Sequence, residues 1–290
     1  MIDIGLSIFG GRCENLKTLF VSDLDGTLLT LQERVSSYSL EHLNALIDNG
    51  LHFTYATARS LNSAAKACWG LRQILPVILY NGAVVMEPWS RKMLYNNHFN
   101  RGQLSYLKEL FARHDVWPLV YSFKGETERV SWVAEKETAG VKRYLERRKG
   151  DPRLHPVKVR EELVGDDIFY FNCIGRKEDL DALHEEVENS LDMKCIYEQE
   201  AYQTDYWCEI MPRSTSKGAA AKQLKTLLGA ERLVAFGDGI NDYDLFREAD
   251  ECYAVQNADE KLKGMATGVI GYSEEDGVVK FLMENLNRYL

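Results

Sequence analysis

Two acidic residues, spaced two positions apart, follow a short apolar stretch near the beginning of the chain. Residues 17–22 indicate a buried strand, and Asp23 and Asp25 come at its end, ahead of Gly-Thr. In an open α/β sheet, ligands bind just beyond the carboxyl ends of the strands, so both carboxylates would lie where a site forms. Together with a further acid at Asp238, they are the oxygen ligands that Mg²⁺ prefers, and they predict a magnesium site. The alternative is a turn whose acids only cap the next helix.

Other polar residues stand at expected strand ends or helix starts later in the chain. Thr57, Ala58 and Arg59 follow a second strand and lead into a helix, and Lys217 lies at the start of another helix. The turn at 237–242, with the sequence Gly-Asp-Gly-Ile-Asn-Asp, follows a further strand. Each of these segments occupies a position of the same kind as the first acid pair.

Each of these residues also has a purely structural interpretation. Thr57 could be a helix N-cap, a role that is compatible with phosphate binding at the same helix start. Lys217 could be an ordinary solvated lysine, and Asp242 could be a surface acid. Arg59 fits a salt bridge and a phosphate contact equally well.

The spacing of apolar residues predicts the elements that position these groups. Successive strand–helix units up to residue 85 imply a parallel sheet with right-handed crossovers. From about residue 86, aromatic-rich strands with few regular crossovers indicate an α+β module with an antiparallel sheet. The strand–helix pattern resumes after Pro212. We predict strands at 17–22, 52–56, 76–80, 119–123, 130–133, 168–174, 195–198, 206–211, 232–236, 253–255 and 269–271, and helices at 38–49, 103–114, 136–149, 179–191, 216–228 and 278–287.

The chain is therefore expected to be one doubly wound domain interrupted by another. We assign residues 16–85 and 213–290 to the two parts of a Rossmann-like α/β core with a parallel sheet. Residues 86–212 are assigned to the inserted α+β domain. Residues 1–15 are expected to form a loosely held extension, to which we assign no function.

The composition excludes several classes of partner. Of the 290 residues, 45% are hydrophobic and 27% charged, and the net charge of −9 argues against nucleic acid or an anionic membrane as a partner. No apolar stretch approaches a membrane span, and the N-terminus lacks the features of a signal peptide. The six cysteines are scattered, with no Cys-x-x-Cys pair and no Cys/His cluster, and the histidines show no metal-ligand spacing. This pattern favours reduced thiols in a cytoplasmic protein.

Taken together, the motifs resemble those of the haloacid dehalogenase (HAD) phosphatases, in particular the Cof type. Residues 23–27 (Asp-Leu-Asp-Gly-Thr) are similar to motif I, Thr57 with its two successors to motif II, Lys217 to motif III and residues 237–242 to motif IV. Residues 81–83 and 255–258 also resemble family patterns. The resemblance covers nearly the whole chain beyond residue 15, and it implies a doubly wound core with an inserted α+β cap that governs substrate specificity.

The resemblance implies a division of labour among the charged residues. Asp23 would ligate Mg²⁺ and attack phosphorus, and Asp25 would act as the acid/base while its backbone carbonyl ligates the metal. Asp238 would supply the other carboxylate of the metal site. Asp242 would support that site as an outer neighbour of the metal ligands, by ordering water or Lys217. Lys217 would hold the phosphoryl oxygens and the nucleophile in line.

By the same resemblance, a second set of groups would bind the phosphate. Thr57 would offer a hydroxyl donor, Asn241 an amide donor, and Leu24 and Ala58 their backbone N–H groups, beside the ammonium of Lys217. The sequence departs from the family in two places: Ala58 stands where the family often has Gly, and residues 212–216 replace the more usual Gly-Val-Ser approach to the lysine. Neither change removes an atom that takes part in the chemistry.

These observations predict a Mg²⁺-dependent phosphatase that hydrolyses a small phosphorylated metabolite, such as a sugar phosphate, through an aspartyl-phosphate. One alternative is phosphoryl transfer to a second substrate, as in a phosphomutase. Another is a catalytically silent phosphate-binding protein on the same fold. The intact acids and lysine argue against a silent protein, because a binding module needs no general acid.

Overall fold

The computed structural model describes residues 17–163, 167–199 and 204–289. These residues fall into two compact units. The core unit comprises the described residues up to Ser90 together with those from Ser216 onward, and the inserted unit runs from Arg91 to Thr215. The extension expected at residues 1–15 lies outside the described residues.

The described residues form the following elements. The strands are β1 (Thr18–Ser22), β2 (Phe53–Tyr55), β3 (Val77–Leu79), β4 (Val84–Met86), β5 (Met93–Asn96), β6 (Leu119–Lys124), β7 (Thr127–Val133), β8 (Leu154–Val157), β9 (Asp167–Gly175), β10 (Met193–Gln199), β11 (Tyr206–Pro212), β12 (Arg232–Gly237), β13 (Glu251–Val255) and β14 (Gly268–Ile270). The helices are α1 (Ser37–Asp48), α2 (Leu61–Ala67), α3 (Arg101–Arg113), α4 (Ala139–Glu146), α5 (Lys177–Glu188), α6 (Lys217–Leu228), α7 (Tyr243–Glu248), α8 (Glu260–Met265) and α9 (Gly277–Asn285).

A five-stranded parallel sheet organises the core unit, in the order β14-β13-β12-β1-β2. Every residue of β1 is buried, as expected for a central strand of a parallel sheet that is covered on both faces. The strand predicted at 76–80 is present as β3, which meets the sheet through a single parallel bridge between Ala56 and Ile78 and pairs antiparallel with β4. The predicted fold class, a doubly wound parallel-sheet core, is confirmed.

Local sequence signals set the ends of the helices that lead away from this sheet. Ser36 caps α1 and Ser216 caps α6, each by accepting a hydrogen bond from the backbone N–H three residues later. At the other end of α6, Gly229 takes a left-handed conformation with φ of 67°. The cap at Ser216 makes Lys217 the first residue of α6.

The inserted unit is built on a six-stranded sheet in the order β10-β11-β9-β6-β7-β8. All neighbouring strands are antiparallel except the pair β7 and β8. Helices α3 and α5 pack on one face, where Leu107, Leu183 and Phe171 belong to a shared hydrophobic core. The predicted α+β character of this segment is confirmed, and β10 forms one edge of its sheet.

Within the described parts of the chain, no helix combines the length and the hydrophobicity that crossing a lipid bilayer requires.

Candidate active site

The first acid and the later acidic turn meet at the carboxyl edge of the parallel sheet. Asp23 follows β1 and Asp238 follows β12, and these two strands are neighbours, with Ser22 opposite Phe236. One carboxylate oxygen from each of Asp23, Asp238 and Asp242 lies within 4.8 Å of the other two. We call these three residues the acid cluster. The structure thus gathers acids that are more than 200 residues apart in the sequence.

Lys217 joins two members of the acid cluster. Its Nζ donates hydrogen bonds to Asp23 Oδ1 at 2.5 Å and to Asp242 Oδ1 at 2.7 Å. Lys217 and Asp242 are completely buried, and Asp23 is nearly so. Burial alone would lower the pKa of Lys217, but the two carboxylates outweigh it and raise that pKa. Lys217 therefore carries its charge inside the protein, and the alternative of a solvated lysine is excluded.

The acid cluster carries more negative charge than Lys217 can compensate, since one ammonium faces three carboxylates. Burial raises the pKa of the Asp23 carboxyl well above its ordinary range, the Lys217 ammonium opposes this rise, and the neighbouring carboxylates add to it. Burial, together with the adjacent Asp242, raises the pKa of Asp238 to about 6. Carboxylates that hold their protons this tightly form a site that favours a cation.

Asp242 is fixed by contacts to both of its carboxylate oxygens. Oδ1 accepts from Lys217, and Oδ2 accepts from the backbone N–H groups of Asp238 at 3.0 Å and Gly239 at 3.2 Å. Its side chain is fully buried, which excludes the alternative of a surface acid. Asp242 therefore orients both the lysine and the turn that carries Asp238.

Gly26 and Thr27, directly after the acid pair, shape the space around Asp238. Thr27 Oγ1 donates to Asp238 Oδ1 at 3.1 Å. Gly26 has φ of 76°, and a Cβ at this position would overlap the Asp238 carboxylate. Asn257 Nδ2 holds the Gly26 carbonyl at 2.7 Å. Only glycine leaves room for the Asp238 side chain and adopts this backbone without strain.

Thr57 and Asn241 are connected through Asn81, which has φ of 53°. The Asn81 backbone N–H donates to the Thr57 carbonyl at 2.9 Å, and its Oδ1 accepts from Asn241 Nδ2 at 3.2 Å. The N-cap of α2 is Ser60 and not Thr57, so the capping alternative for Thr57 is wrong. The Thr57 hydroxyl instead accepts from the backbone N–H of Arg59 at 3.1 Å.

The remaining residues expected to bind phosphate differ in exposure. Leu24 is completely buried beside Asp23 in the chain, whereas Ala58 and Asn241 are exposed. The binding of phosphate by the backbone N–H groups of Leu24 and Ala58 remains a prediction.

Asp25 lies in a different environment from Asp23. Its carboxylate accepts two hydrogen bonds from Arg59, with Nε to Oδ2 at 2.8 Å and the terminal nitrogen to Oδ1 at 2.5 Å. The same guanidinium reaches Glu33 at 3.0 Å. The hydrogen bond with Asp25 is the largest cause of the raised pKa of Arg59. Of the two interpretations of Arg59, the structure shows the salt bridge.

Comparison with known proteins decides the family. The model of the haloacid dehalogenase-like hydrolase family matches residues 20–282. The chain belongs to the haloacid dehalogenase-like hydrolases. This match spans the acid cluster, Lys217 and the inserted unit, and it confirms the Cof-type resemblance drawn from the motifs.

Named relatives of this hydrolase cover most of its length. The 5-amino-6-(5-phospho-D-ribitylamino)uracil phosphatase YitU of Bacillus subtilis is 25% identical over 278 residues, which are 92% of this chain and 96% of the relative. A solved haloacid dehalogenase-like hydrolase from Bacteroides thetaiotaomicron superposes with a TM-score of 0.73 at 20% identity, covering 93% of this chain and 99% of that one. The HAD subclass IIB sugar phosphatase BT4131 gives a TM-score of 0.67 at 20% identity, with coverages of 92% and 98%.

The family and its phosphatase members make this HAD hydrolase a phosphoric monoester hydrolase, as the sequence predicts. HAD-like hydrolases generally use Mg²⁺. The inserted unit corresponds to the cap that such hydrolases carry.

Sequence reasoning missed several supporting residues of this HAD site. Thr27 and Asn257 belong to motifs recognised in the sequence, but no role was predicted for them. Thr27 donates a hydrogen bond to Asp238, and Asn257 donates one to the Gly26 carbonyl. Gly82 is a third case, because a Cβ there would overlap the Ser216 carbonyl directly before Lys217. Asn-Gly at 81–82 is a turn signal, and it could have marked this close approach of two backbones.

Proposed function

We propose that this phosphatase uses Mg²⁺ to hydrolyse a small phosphate monoester through an aspartyl-phosphate on Asp23. The observation that carries the proposal is the buried Asp23 carboxylate, held at 2.5 Å by Lys217 next to Asp238 and Asp242. A carboxylate that only capped a turn would need neither the buried lysine nor the second and third acids.

The acid cluster fits Mg²⁺ by its chemistry. The donor atoms of the cluster are all oxygens, and its three carboxylates carry more negative charge than Lys217 neutralises. Because residue 26 is glycine, the Asp238 carboxylate stays uncovered at the point that a Cβ would occupy. Asp23, Asp238 and the backbone carbonyl of Asp25 would hold the ion, with Asp242 behind them. When bound, Mg²⁺ neutralises phosphate charge so that an anionic nucleophile can approach phosphorus.

The residues of the chain then divide the reaction into two steps. Asp23 attacks phosphorus. Lys217 fixes one carboxylate oxygen of Asp23 and offers positive charge to the phosphoryl group. Asp25 protonates the leaving oxygen and later accepts a proton from the water that hydrolyses the aspartyl-phosphate. Thr57, Asn241 and the N–H groups of residues 24 and 58 bind the phosphoryl oxygens during both steps.

We also propose that the substrate is a sugar phosphate or a related metabolite, and that residues of the inserted unit select it. Two relatives support this class: one is named for a phosphorylated ribityl compound and the other is a sugar phosphatase. The cysteines that the structure describes are free thiols, which supports the predicted cytoplasmic location.

The test measures release of inorganic phosphate from a panel of phosphorylated metabolites. With Mg²⁺ present, we expect phosphate to appear in water without a second acceptor, and we expect a chelator to abolish turnover until Mg²⁺ is restored. Asp23→Asn should stop turnover with every substrate, because it removes the nucleophile. Full activity in the chelator would overturn the metal assignment.

The same assay separates this function from its two alternatives. A phosphomutase would move the phosphoryl group from one position of the substrate to another, and it would release little free phosphate. A silent binding protein would bind phosphate esters with Mg²⁺ but would leave them intact. Either result would replace the hydrolase proposal.

A further inference from the structure

A second group of metal-ligating side chains lies in the inserted unit, apart from the acid cluster. His184 and Glu188 are on α5, and Cys195 is on β10, the strand that follows. One ligand atom from each residue lies within 4.8 Å of the other two. We call these three residues the His–Glu–Cys cluster. The sequence alone shows no Cys/His cluster because the helix and the strand must first pack together.

The helix and the strand aim these side chains at one point. His184 and Glu188 are four residues apart, so they lie on the same side of α5, one turn apart. Cys195 is on β10, at the edge of the sheet, and its backbone N–H donates to Glu188 Oε1 at 3.1 Å. This contact fixes the carboxylate and leaves Oε2 for another partner.

The imidazole of His184 is also positioned by packing. It stacks on the ring of Tyr197, with the ring centroids 4.4 Å apart and the planes at 21°. Tyr197 is two residues beyond Cys195 on the same strand, so both project to the same face of the sheet. Two of the three donors are therefore held in place by contacts with β10.

The His–Glu–Cys cluster is open to solvent. Cys195 and His184 are partly exposed and Glu188 is exposed, so an ion can reach the cluster from solvent.

We propose that His184, Glu188 and Cys195 bind one Zn²⁺ ion, with water in the fourth position, and that the ion fastens the edge strand β10 to α5. Nitrogen, sulfur and carboxylate oxygen form a donor set typical of tetrahedral Zn²⁺, whereas Mg²⁺ requires oxygen donors. The acid cluster offers oxygen only. The two sites therefore differ in the metal that they select.

The experiment uses Co²⁺ as a spectroscopic probe of the purified full chain in excess Mg²⁺. Co²⁺ bound by the His–Glu–Cys cluster gives a sulfur-to-cobalt charge-transfer band and the visible spectrum of a tetrahedral ion, and Zn²⁺ should displace it at one equivalent. Co²⁺ at the acid cluster has no sulfur ligand and gives no such band. Chelator competition then measures the Zn²⁺ affinity.

Three variants and one control decide the outcome. Cys195→Ser should abolish the charge-transfer band, and His184→Gln and Glu188→Gln should each weaken Zn²⁺ binding by about 100-fold or more. Glu185→Gln removes the same charge as Glu188→Gln from an exposed neighbouring position on α5 and should bind Zn²⁺ like the wild type. Circular dichroism checks that each variant is folded.

Three results would overturn the proposal: no charge-transfer band in the wild type, a band that persists in Cys195→Ser, or an equal loss of Zn²⁺ affinity in Glu185→Gln and Glu188→Gln. Zn²⁺ should also raise the melting temperature of the wild type but not that of Cys195→Ser. None of these measurements depends on phosphatase activity, so they stand apart from the function proposed above.

Discussion

Asp23 and Asp25 are separated by one residue, yet the fold gives them opposite environments. Asp23 is buried against Lys217, whereas about half of the Asp25 side chain is exposed and pairs with Arg59. Carboxylates with different environments commonly divide the roles of nucleophile and acid between them. The buried acid cannot exchange protons freely with solvent, which supports the proposed role of Asp25 in proton transfer.

The role of Asp25 can be tested by changing how much the leaving group needs a proton. Asp25→Asn keeps the side-chain size and the backbone carbonyl but cannot donate an acid proton. We expect the first step to slow by roughly 10²–10⁴-fold for an alkyl phosphate and far less for p-nitrophenyl phosphate, whose phenolate leaves unprotonated. Single-turnover release of the alcohol measures this step, because hydrolysis of the aspartyl-phosphate should slow with both substrates.

Asp23→Asn is the matched control, since it should stop the first step with both esters. If Asp25→Asn slowed the two esters equally, Asp25 would act through geometry or metal binding, and its assignment as the acid would be wrong.

The family resemblance led us to expect that Lys217 holds Asp23 and that Asp242 orders water or Lys217, and the structure shows Lys217 in contact with both acids. Asp23, Lys217 and Asp242 follow from motifs and strand ends, since each type of residue has a chemical reason to be there. The pairing of Asp25 with Arg59 could not be predicted, because it depends on how β1 and β2 align the segments that follow them. Arg153 is buried against Glu128 and Asp151, and these ion pairs were likewise not predicted.

At the scale of elements, one turn positions the helix that carries Lys217. Tyr80, Asn81 and Gly82 have φ of 51°, 53° and 95°, so three successive residues take the left-handed conformation. Gly82 lies directly against the backbone at Ser216 and Lys217. A side chain at residue 82 would push away the start of α6.

Gly82→Ala should therefore damage both stability and turnover. Gly50 offers a matched control, because its φ of 96° equals that of Gly82 within a degree while nothing lies within 4 Å of its Cβ position. Gly50→Ala should cost about 1 kcal/mol from backbone strain alone. Gly82→Ala should lose a further 1–3 kcal/mol, roughly, from overlap. Its kcat should fall by about 10–100-fold, since displacing catalytic groups by 1 Å has such effects.

Urea unfolding and steady-state kinetics measure the two effects. Equal stability losses in the two variants, with kcat unchanged in both, would show that the turn at residue 82 does not position Lys217.

The elements that were predicted poorly are those whose signals are short or compete. β4 begins two residues after Asn81-Gly82. The pattern of apolar residues does not separate β4 from β3, because the chain reverses direction at a turn that includes Tyr80 at positive φ. The helix expected at 136–149 begins only at Ala139, because Thr138 caps it by accepting from the Val141 N–H at 3.1 Å. The six-residue helices α7 and α8 are too short to show a helical period.

At the scale of the whole molecule, each unit has its own sheet and its own core, and each is expected to respond to conditions separately. Of the tryptophans, Trp117, Trp132 and Trp207 lie in the inserted unit, whereas Trp69 and Trp89 lie in the core unit. The inserted unit also contains Glu209 on β11, the strand beside the edge strand β10, and no part of the proposed phosphatase mechanism uses this carboxyl group. We expect this group to give the inserted unit a pH dependence of its own.

Glu209 should make the inserted unit less stable as the pH rises toward neutrality. Burial raises its pKa from 4.5 to about 7, a hydrogen bond from Tyr170 opposes the rise, and the nearby Glu198 adds to it. Because the folded-state pKa exceeds the unfolded value, the stabilising contribution is complete below pH 4.5 and is lost as the pH rises through 7. The two pKa values correspond to a loss of roughly 3 kcal/mol at most.

Glu209→Gln tests this prediction, because glutamine resembles the protonated acid at every pH and can still accept from Tyr170. We expect the variant and the wild type to have equal free energies of unfolding at pH 4, and the variant to be more stable by about 1–3 kcal/mol at pH 8. Urea unfolding of both proteins, monitored by tryptophan fluorescence, gives this difference directly, and the contributions of other titrating groups cancel from it.

Glu126 is an exposed residue at the β6–β7 turn, so the control variant Glu126→Gln should have the same pH profile of stability as the wild type. A difference between Glu209→Gln and the wild type that stays constant from pH 4 to pH 8 would mean that Glu209 has the same pKa in the folded and the unfolded protein, and the prediction would be wrong.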